Sequence, residues 1–400
     1  MEDRSQESRS AISNIEAAKT STVTKSNPVC DGGDDEAQSP HNTVGIHSNI
    51  SGHIVRTLND TSQNTVPDPA SDPNSARLYL PTARYSVRIP LLCVGAAGWG
   101  STSRENTDEE KAELDSLRPA LAAVQKATGG LCFIDAHPGR SEDIAGKLIA
   151  SLPSRESFVI QARFSPNGGG GGGEDTAENT PRDDRRGAST DPVLSLKDSL
   201  ARLGGLEYVD IYLLQIQKEV GDAAVATDKA IKQMAECVEQ GLARVVGIAG
   251  PADCLGADAV RHLDNELAKY NIPLAAAVPE WNPARPDAVA GDLVAACREV
   301  GAVLQAGTMV SGGPRVALTG GDVRSVSGLL GKAAEVAGRR ADGEGKGARS
   351  AMATALNYVL CKGAVPTLEF ADEAGARDLI RALGWKLDDE EVREIDEVYA

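Results

Sequence analysis

The chain has 400 residues and a formal net charge of −17, with 58 acidic side chains against 41 basic ones. Such a surface repels phosphate backbones and anionic headgroups, so neither nucleic acid nor a membrane surface is expected as a general partner. No run of about 18 apolar residues occurs, so the sequence offers no membrane span, and the length suits either two domains or one α/β barrel with extensions.

In chain order, residues 1–81 are rich in Ser, Asn, Asp and Thr and show no sustained apolar period. They cannot bury enough surface to offset chain entropy, and they predict a disordered acidic and polar leader, leaving a folded unit over 82–400. The start Met-Glu-Asp and the acidic run Asp31–Glu36 are unlike an Arg-rich, acid-poor transit peptide. Short apolar runs then recur at Ile89–Val94, Leu131–Ile134, Phe158–Ala162, Val209–Leu214, Val245–Ile248, Leu274–Val278, Ala302–Leu304 and Ala364–Thr367. Helical patterns separate them: Leu196, Leu200 and Leu203 share one face, as do Ile231, Met234, Ala235 and Val238. Gly241, Gly301 and Gly384 stand where three helices should stop, and Asp388 with Glu391 forms a capping-box pattern. Residues 165–191, with glycines at 168–173, read as a flexible insertion, and Arg339–Lys346 as a shorter solvent-bound piece. Eight strands each followed by a helix predict a (β/α)8 barrel with its chemistry at the C-terminal strand ends. An open doubly wound sheet is disfavoured, because no G-x-G-x-x-G lies at a strand-to-helix turn.

Cysteine and histidine usage narrows the chemistry further. The seven cysteines include no C-x-x-C pair, and Cys93, Cys132, Cys237, Cys297 and Cys361 fall in apolar patterns, which points to buried thiols in a reducing compartment. Of five histidines, His41, His47 and His53 lie in the leader, so no metal site is expected.

Six segments carry a resemblance. LLCVGAAGWG (91–100) looks like a glycine-rich first strand, and FIDAHPGRSE (133–142) is similar to F-D-T-A-x-x-Y-G-x-S-E. SLKDSLARLGGLEYVDIYLLQ (195–215) resembles S-L-x-x-S-L-x-R-L-G…D-x-Y-x-L-H, and VEQGLARVVGIAG (238–250) resembles E-x-G-x-x-R-x-x-G-V-S-N. GAVLQAGTMVSGG (301–313) follows G-V-x-V-x-A-Y-S-P-L-x-x-G, and ATALNYVLCKGAVP (353–366) follows A-L-N-Y-V-L-x-x-G-x-V-P. In this order they resemble the aldo-keto reductases over most of residues 90–398, and ALGWKLDDEEV (382–392) resembles the plant and algal plastid branch.

The resemblance implies an NADP-dependent carbonyl reductase with an Asp, a Tyr acid, a Lys that tunes the phenol and a His that orients the carbonyl. At the matching positions stand Asp135, Pro138, Arg163 and Gln215. Proline carries no proton to give, arginine stays protonated, and glutamine only polarises. Arg163 is expected to pair with Asp135 at the barrel mouth. His137 is the one titratable substitute for the missing phenol, and it is expected to be a loop histidine open to solvent. The nicotinamide-holding positions match Ala249, Gly250 and Val278, and the ring-stacking position matches Gly307. A basic residue for the 2′-phosphate would fall near Phe370 or Ala371. Gly95 and Trp99 survive from the first-strand motif, the latter expected to pack over the barrel mouth. Losing the stacking ring and amide contacts removes about 3–5 kcal/mol of cofactor binding.

The expectation is therefore a non-catalytic pseudoenzyme, weak or absent NADP binding, and a scaffold or regulatory role with an unidentified protein partner. The alternative is an NADP-dependent oxidoreductase that uses His137 as a non-standard acid. A third reading is a ligand at a mouth widened by Pro279, Thr308 and Met309. A cytoplasmic location is expected, with the plastid as the alternative.

Overall fold

A computed structural model describes residues 66–73, 76, 78–81, 86–101, 103–152, 154–165, 189–216, 228–252, 254–280, 291–310, 323–344 and 349–399. Most of the leader and residues 166–188 of the predicted insertion lie outside these.

Eight parallel strands close into a barrel. They are β3 (Cys93–Gly95), β4 (Cys132–Asp135), β5 (Phe158–Phe164), β6 (Val209–Gln215), β7 (Ala243–Pro251), β8 (Leu274–Glu280), β9 (Val303–Val310) and β10 (Val365–Glu369). β10 pairs with β3 on one side and β9 on the other, which completes the ring. Outside it run α1 (Asp108–Ala127), α2 (Arg140–Ala150), α3 (Pro192–Arg202), α4 (Asp228–Glu239), α5 (Ala257–Ala268) and α6 (Gly291–Val300). They are followed by α7 (Val323–Glu344), α8 (Ala351–Cys361), α9 (Glu373–Arg381) and α10 (Asp389–Asp396). Helices cover the outer faces of strands whose inner faces fill the barrel, so the strands read as continuous apolar runs rather than alternations. Every residue of β4 and of β5 is buried.

Local chemistry sets the helix limits. Asp191 caps α3 by accepting from Val193 N and Leu194 N, with Pro192 in the first turn. Asp388 and Glu391 close α10 with the expected capping box. Gly241, Gly301 and Gly384 take positive φ values of 74°, 77° and 79° just beyond their helices. At Gly146 in α2 a Cβ would meet the Arg202 carbonyl at 2.7 Å, so glycine lets α2 and α3 approach closely.

Three expectations change. Order begins before residue 82: β1 (Leu78–Pro81) pairs antiparallel with β2 (Ser86–Ile89), and the hairpin packs on β8. Leu78 and Leu80 are fully buried while Tyr79 between them is 43% exposed. That alternation is a half-buried strand too short to stand out from the polar text around it. Ile89 consequently belongs to this hairpin, and the first barrel strand starts only at Cys93. Pro69 O also accepts from Gly384 N at 2.9 Å, so the chain is docked from well before the hairpin. Third, residues 339–344 belong to α7, where Arg340 donates to Glu391 Oε1 at 2.6 Å and lies 5.2 Å from the centre of the Trp385 ring.

A polar pair crosses the barrel interior. Gln305 Nε2 donates to Gln161 Oε1 at 3.0 Å, and both side chains are fully buried. Their strands, β5 and β9, lie four positions apart in the eight-stranded ring.

Candidate functional site at the barrel mouth

The C-terminal strand ends bring three of the four catalytic-position residues, Asp135, Arg163 and Gln215, together. The apolar run of β4 ends in Asp135, which is in register with Gly95 on β3 and Gln161 on β5. Two residues further along β5 from Gln161 is Arg163, in register with Leu213, and Gln215 ends β6. Inward-facing positions alternate along each strand, so Asp135, Arg163 and Gln215 all face the mouth.

Arg163 meets Asp135 as a fork. Its Nη2 donates to Asp135 Oδ2 at 2.5 Å and its Nε to Oδ1 at 3.2 Å. Its Nη1 donates to Gln215 Oε1 at 3.2 Å, so one guanidinium ties β4, β5 and β6 together. Burial alone would raise the Asp135 pKa, but the Arg163 charge and His137 outweigh it and hold the carboxyl well below the usual range. Asp135 is therefore a fixed anion, neutralised at bidentate geometry.

His137 corrects the reading of an exposed loop histidine. Its side chain is only 18% exposed, and Nε2 lies 3.7 Å from Asp135 Oδ2. That nitrogen is sealed from solvent and has no hydrogen-bond partner among the described residues. The cause is the loop geometry. Gly139 turns the chain at φ 96°, His137 N donates to Ser141 Oγ at 3.1 Å, and Gly139 N donates to Glu142 Oε2 at 3.3 Å. Glu142 is fully buried and accepts from Arg202 Nε at 2.6 Å. Ser141 and Glu142 thus support the loop and fold the imidazole inward, while Pro138 points to solvent. The shape of this loop could not be read from a motif that was two residues short.

The cofactor positions line the same mouth. Gln215, Ala249 and Val278 follow one another in register across β6, β7 and β8, with Gly250 next along β7. A Cβ on Gly250 would collide with Ile216 Cγ1 and stand 3.0 Å from the Ile216 carbonyl. Any larger side chain there requires Ile216 to move. Gly307 on β9 is buried and offers no ring. Gly95 sits against Thr367 Cγ2, 3.3 Å from where its Cβ would be. Trp99 is 3% exposed and donates from Nε1 to Phe370 O at 3.0 Å, which locks the loop after β3 to the end of β10. The side chains of Thr308 and Met309 lie outside the described residues. Sequence reasoning missed Glu369, one residue before the stretch searched for a phosphate ligand. It pairs in register with Gly95, and its carboxylate occupies the space above Gly98.

A (β/α)8 barrel with this arrangement at its strand ends defines the class. Residues 91–400 match the Aldo/keto reductase family, and the chain belongs to that family. Solved structures agree on the fold. A thermostable aldo-keto reductase in complex with the inhibitor epalrestat shares 22% identity at a TM-score of 0.54, covering 80% of this chain and 99% of its own. The Bombyx mori aldo-keto reductase in complex with NADP shares 22% at 0.53, covering 78% and 90%. The glycerol dehydrogenase of Gluconobacter oxydans shares 18% at 0.55, covering 80% and 94%. A search of curated proteins gave no match. These structures support the barrel.

Proposed function

We propose that this barrel is a non-catalytic aldo-keto reductase homologue, a pseudoenzyme with a binding or regulatory role toward a protein partner, and that it holds NADP weakly or not at all. The observation that carries the reading is the closed Asp135–Arg163–Gln215 cluster. Reduction of a carbonyl by NADPH places negative charge on the substrate oxygen, and a positioned acid contributes about 100–10,000-fold by neutralising it. Arg163 does not release its proton, and its fork is already engaged by Asp135 and Gln215. Ala249, Gly250 and Val278 supply no side-chain amide and Gly307 no ring, so these residues do not fit the nicotinamide end of a dinucleotide.

Titration with NADPH tests the reading. Affinity at least about a hundredfold below that of an ordinary family member is expected, equivalent to ~2.7 kcal/mol. Low-micromolar binding would sink it.

The second reading, an oxidoreductase using His137, is favoured by one observation: the sealed imidazole nitrogen beside Asp135. Turnover of an aldehyde and quinone panel that disappears in His137→Ala would establish it. Under the pseudoenzyme reading, both proteins show only background reduction.

A further inference from the structure

An interior layer of a (β/α)8 barrel draws its side chains from alternate strands, and branched apolar residues usually fill it. The layer below the Asp135–Arg163 fork is polar instead. Gln161 stands one inward position nearer the strand start than Arg163, and Gln305 meets it from the opposite wall. Thr367 on β10 is in register with Cys93 on β3. Its Cγ2 lies 3.3 Å from where a Gly95 Cβ would be, so it flanks the same interior space. Gln161, Gln305, Thr367 and Cys93 are all sealed from solvent.

These side chains carry more hydrogen-bonding groups than they satisfy. One bond joins the two amides, from Gln305 Nε2 to Gln161 Oε1 at 3.0 Å. Gln161 Nε2, Gln305 Oε1 and Thr367 Oγ1 have no partner among the described residues. Exchanging nitrogen and oxygen in both amides only hands the spare donor to Gln305 and the spare acceptor to Gln161, and exchange in one alone sets like against like. Beside the hydroxyl is the Cys93 thiol, a weak donor and a weak acceptor, which leaves Thr367 without a proper hydrogen bond. Buried amides and hydroxyls without partners are costly, and in native interiors ordered water usually completes them.

We infer that the barrel interior holds a water-binding site, with at least one ordered water accepting from Gln161 Nε2, donating to Gln305 Oε1 and sharing a hydrogen bond with Thr367 Oγ1. The three groups are one donor, one acceptor and one that does both. That is the complement of a water molecule, which makes about three bonds in such sites. A metal ion would face the Nε2 hydrogens and find no carboxylate among the three. An apolar filler would leave every one of them unpaired. The site lies inside the barrel and holds whether or not the mouth binds NADP.

High-resolution crystallography of the full chain tests it directly. A solvent peak within hydrogen-bonding distance of at least two of the three atoms is expected. Three atoms that close on one another, or on other side chains, with no such peak would overturn the inference. In solution, oxygen-17 relaxation dispersion of water counts the long-lived internal waters. The count should fall by at least one from wild type to Gln161→Leu/Gln305→Leu/Thr367→Val, and an equal count in a variant that still unfolds cooperatively would overturn the inference as well. Should the triple variant fail to fold, Thr367→Val and Thr367→Ser decide by sign. If water holds the hydroxyl, valine should raise the unfolding constant about tenfold, because it strands that water's hydrogen bond, whereas serine keeps the bond. If the hydroxyl is dry, valine of the same shape removes an unpaired group and leaves the protein at least as stable as wild type, which would reject the site.

Discussion

Two buried carboxylates, one near each end of the barrel, are both held by arginine but in different company. Near the strand starts, Asp210 on β6 accepts from Arg155 Nη2 at 2.8 Å and from Ile160 N at 2.9 Å, with Arg244 Nη1 at 3.3 Å. Arg155 and Arg244 both lie over the Tyr208 ring, 4.6 and 4.2 Å from its centre. At the strand ends, Asp135 has one guanidinium, and beside it stands a sealed imidazole nitrogen with no hydrogen-bond partner among the described residues. The first cluster is a finished structural joint. Its Asp210 and Arg244 stand at positions where the sequence keeps the family motif's own residue. The second joins a retained Asp135 to Arg163 and Gln215, two positions that depart from those motifs. Asn357, another matching residue, behaves like the first cluster: buried in α8, it donates to Ala382 O and Trp385 O and accepts from Leu387 N. Asp210, Arg244 and Asn357, which this chain shares with the family, all serve to build the barrel.

That contrast can be broken by substitution. Arg163→Ala leaves the buried Asp135 uncompensated and should destabilise by about 3–5 kcal/mol in chemical denaturation. Adding Asp135→Asn should recover a large part of the loss, since the charge left alone is then removed. If the single change costs under about 1 kcal/mol, the pair is solvated in solution and the mouth is more open than described. Acid titration sharpens the same point. Because the Asp135 pKa is lowered on folding, its stabilisation is fully present above the ordinary carboxylate value of about 4 and is lost as pH falls below it. The extra loss below that pH should vanish in the Asp135→Asn/Arg163→Ala double variant. A wild type and double variant with parallel acid profiles would contradict it.

Next in size, Asn357→Ala strands one N–H and two carbonyls inside the protein and should cost about 1–3 kcal/mol. Arg244→Ala should cost about 1 kcal/mol or less, because the side chain is 37% exposed and Arg155 stays on Asp210. An Arg244 effect as large as that of Arg163 would erase the distinction between joint and mouth.

The barrel was legible because its signals are local and repeated: apolar strand runs, helix-spaced leucines, and glycine stops at 241, 301 and 384 that take the positive φ they were read to need. The meeting of Asp135, Arg163 and Gln215 was legible because strand ends converge in this fold. His137 was not, since its direction depends on contacts from Ser141, Glu142 and Arg202, the last 60 residues downstream of Glu142. The hairpin at Leu78 was missed for a similar reason. Four residues of alternation carry little weight until their partner strand and the barrel are in place.

The glutamine pair across the axis has one more consequence. A strand can slip only in steps of two if its inward face is to stay inward. Such a slip in β5 would bring Val159 or Arg163 to the level of Gln305, and in β9 it would bring Val303 or Gly307 to the level of Gln161. Either error leaves a lone amide in the barrel interior, at about 1–3 kcal/mol. Gln161 and Gln305 therefore act as a pin between opposite walls, penalising a slip of β5 or of β9 away from its native register.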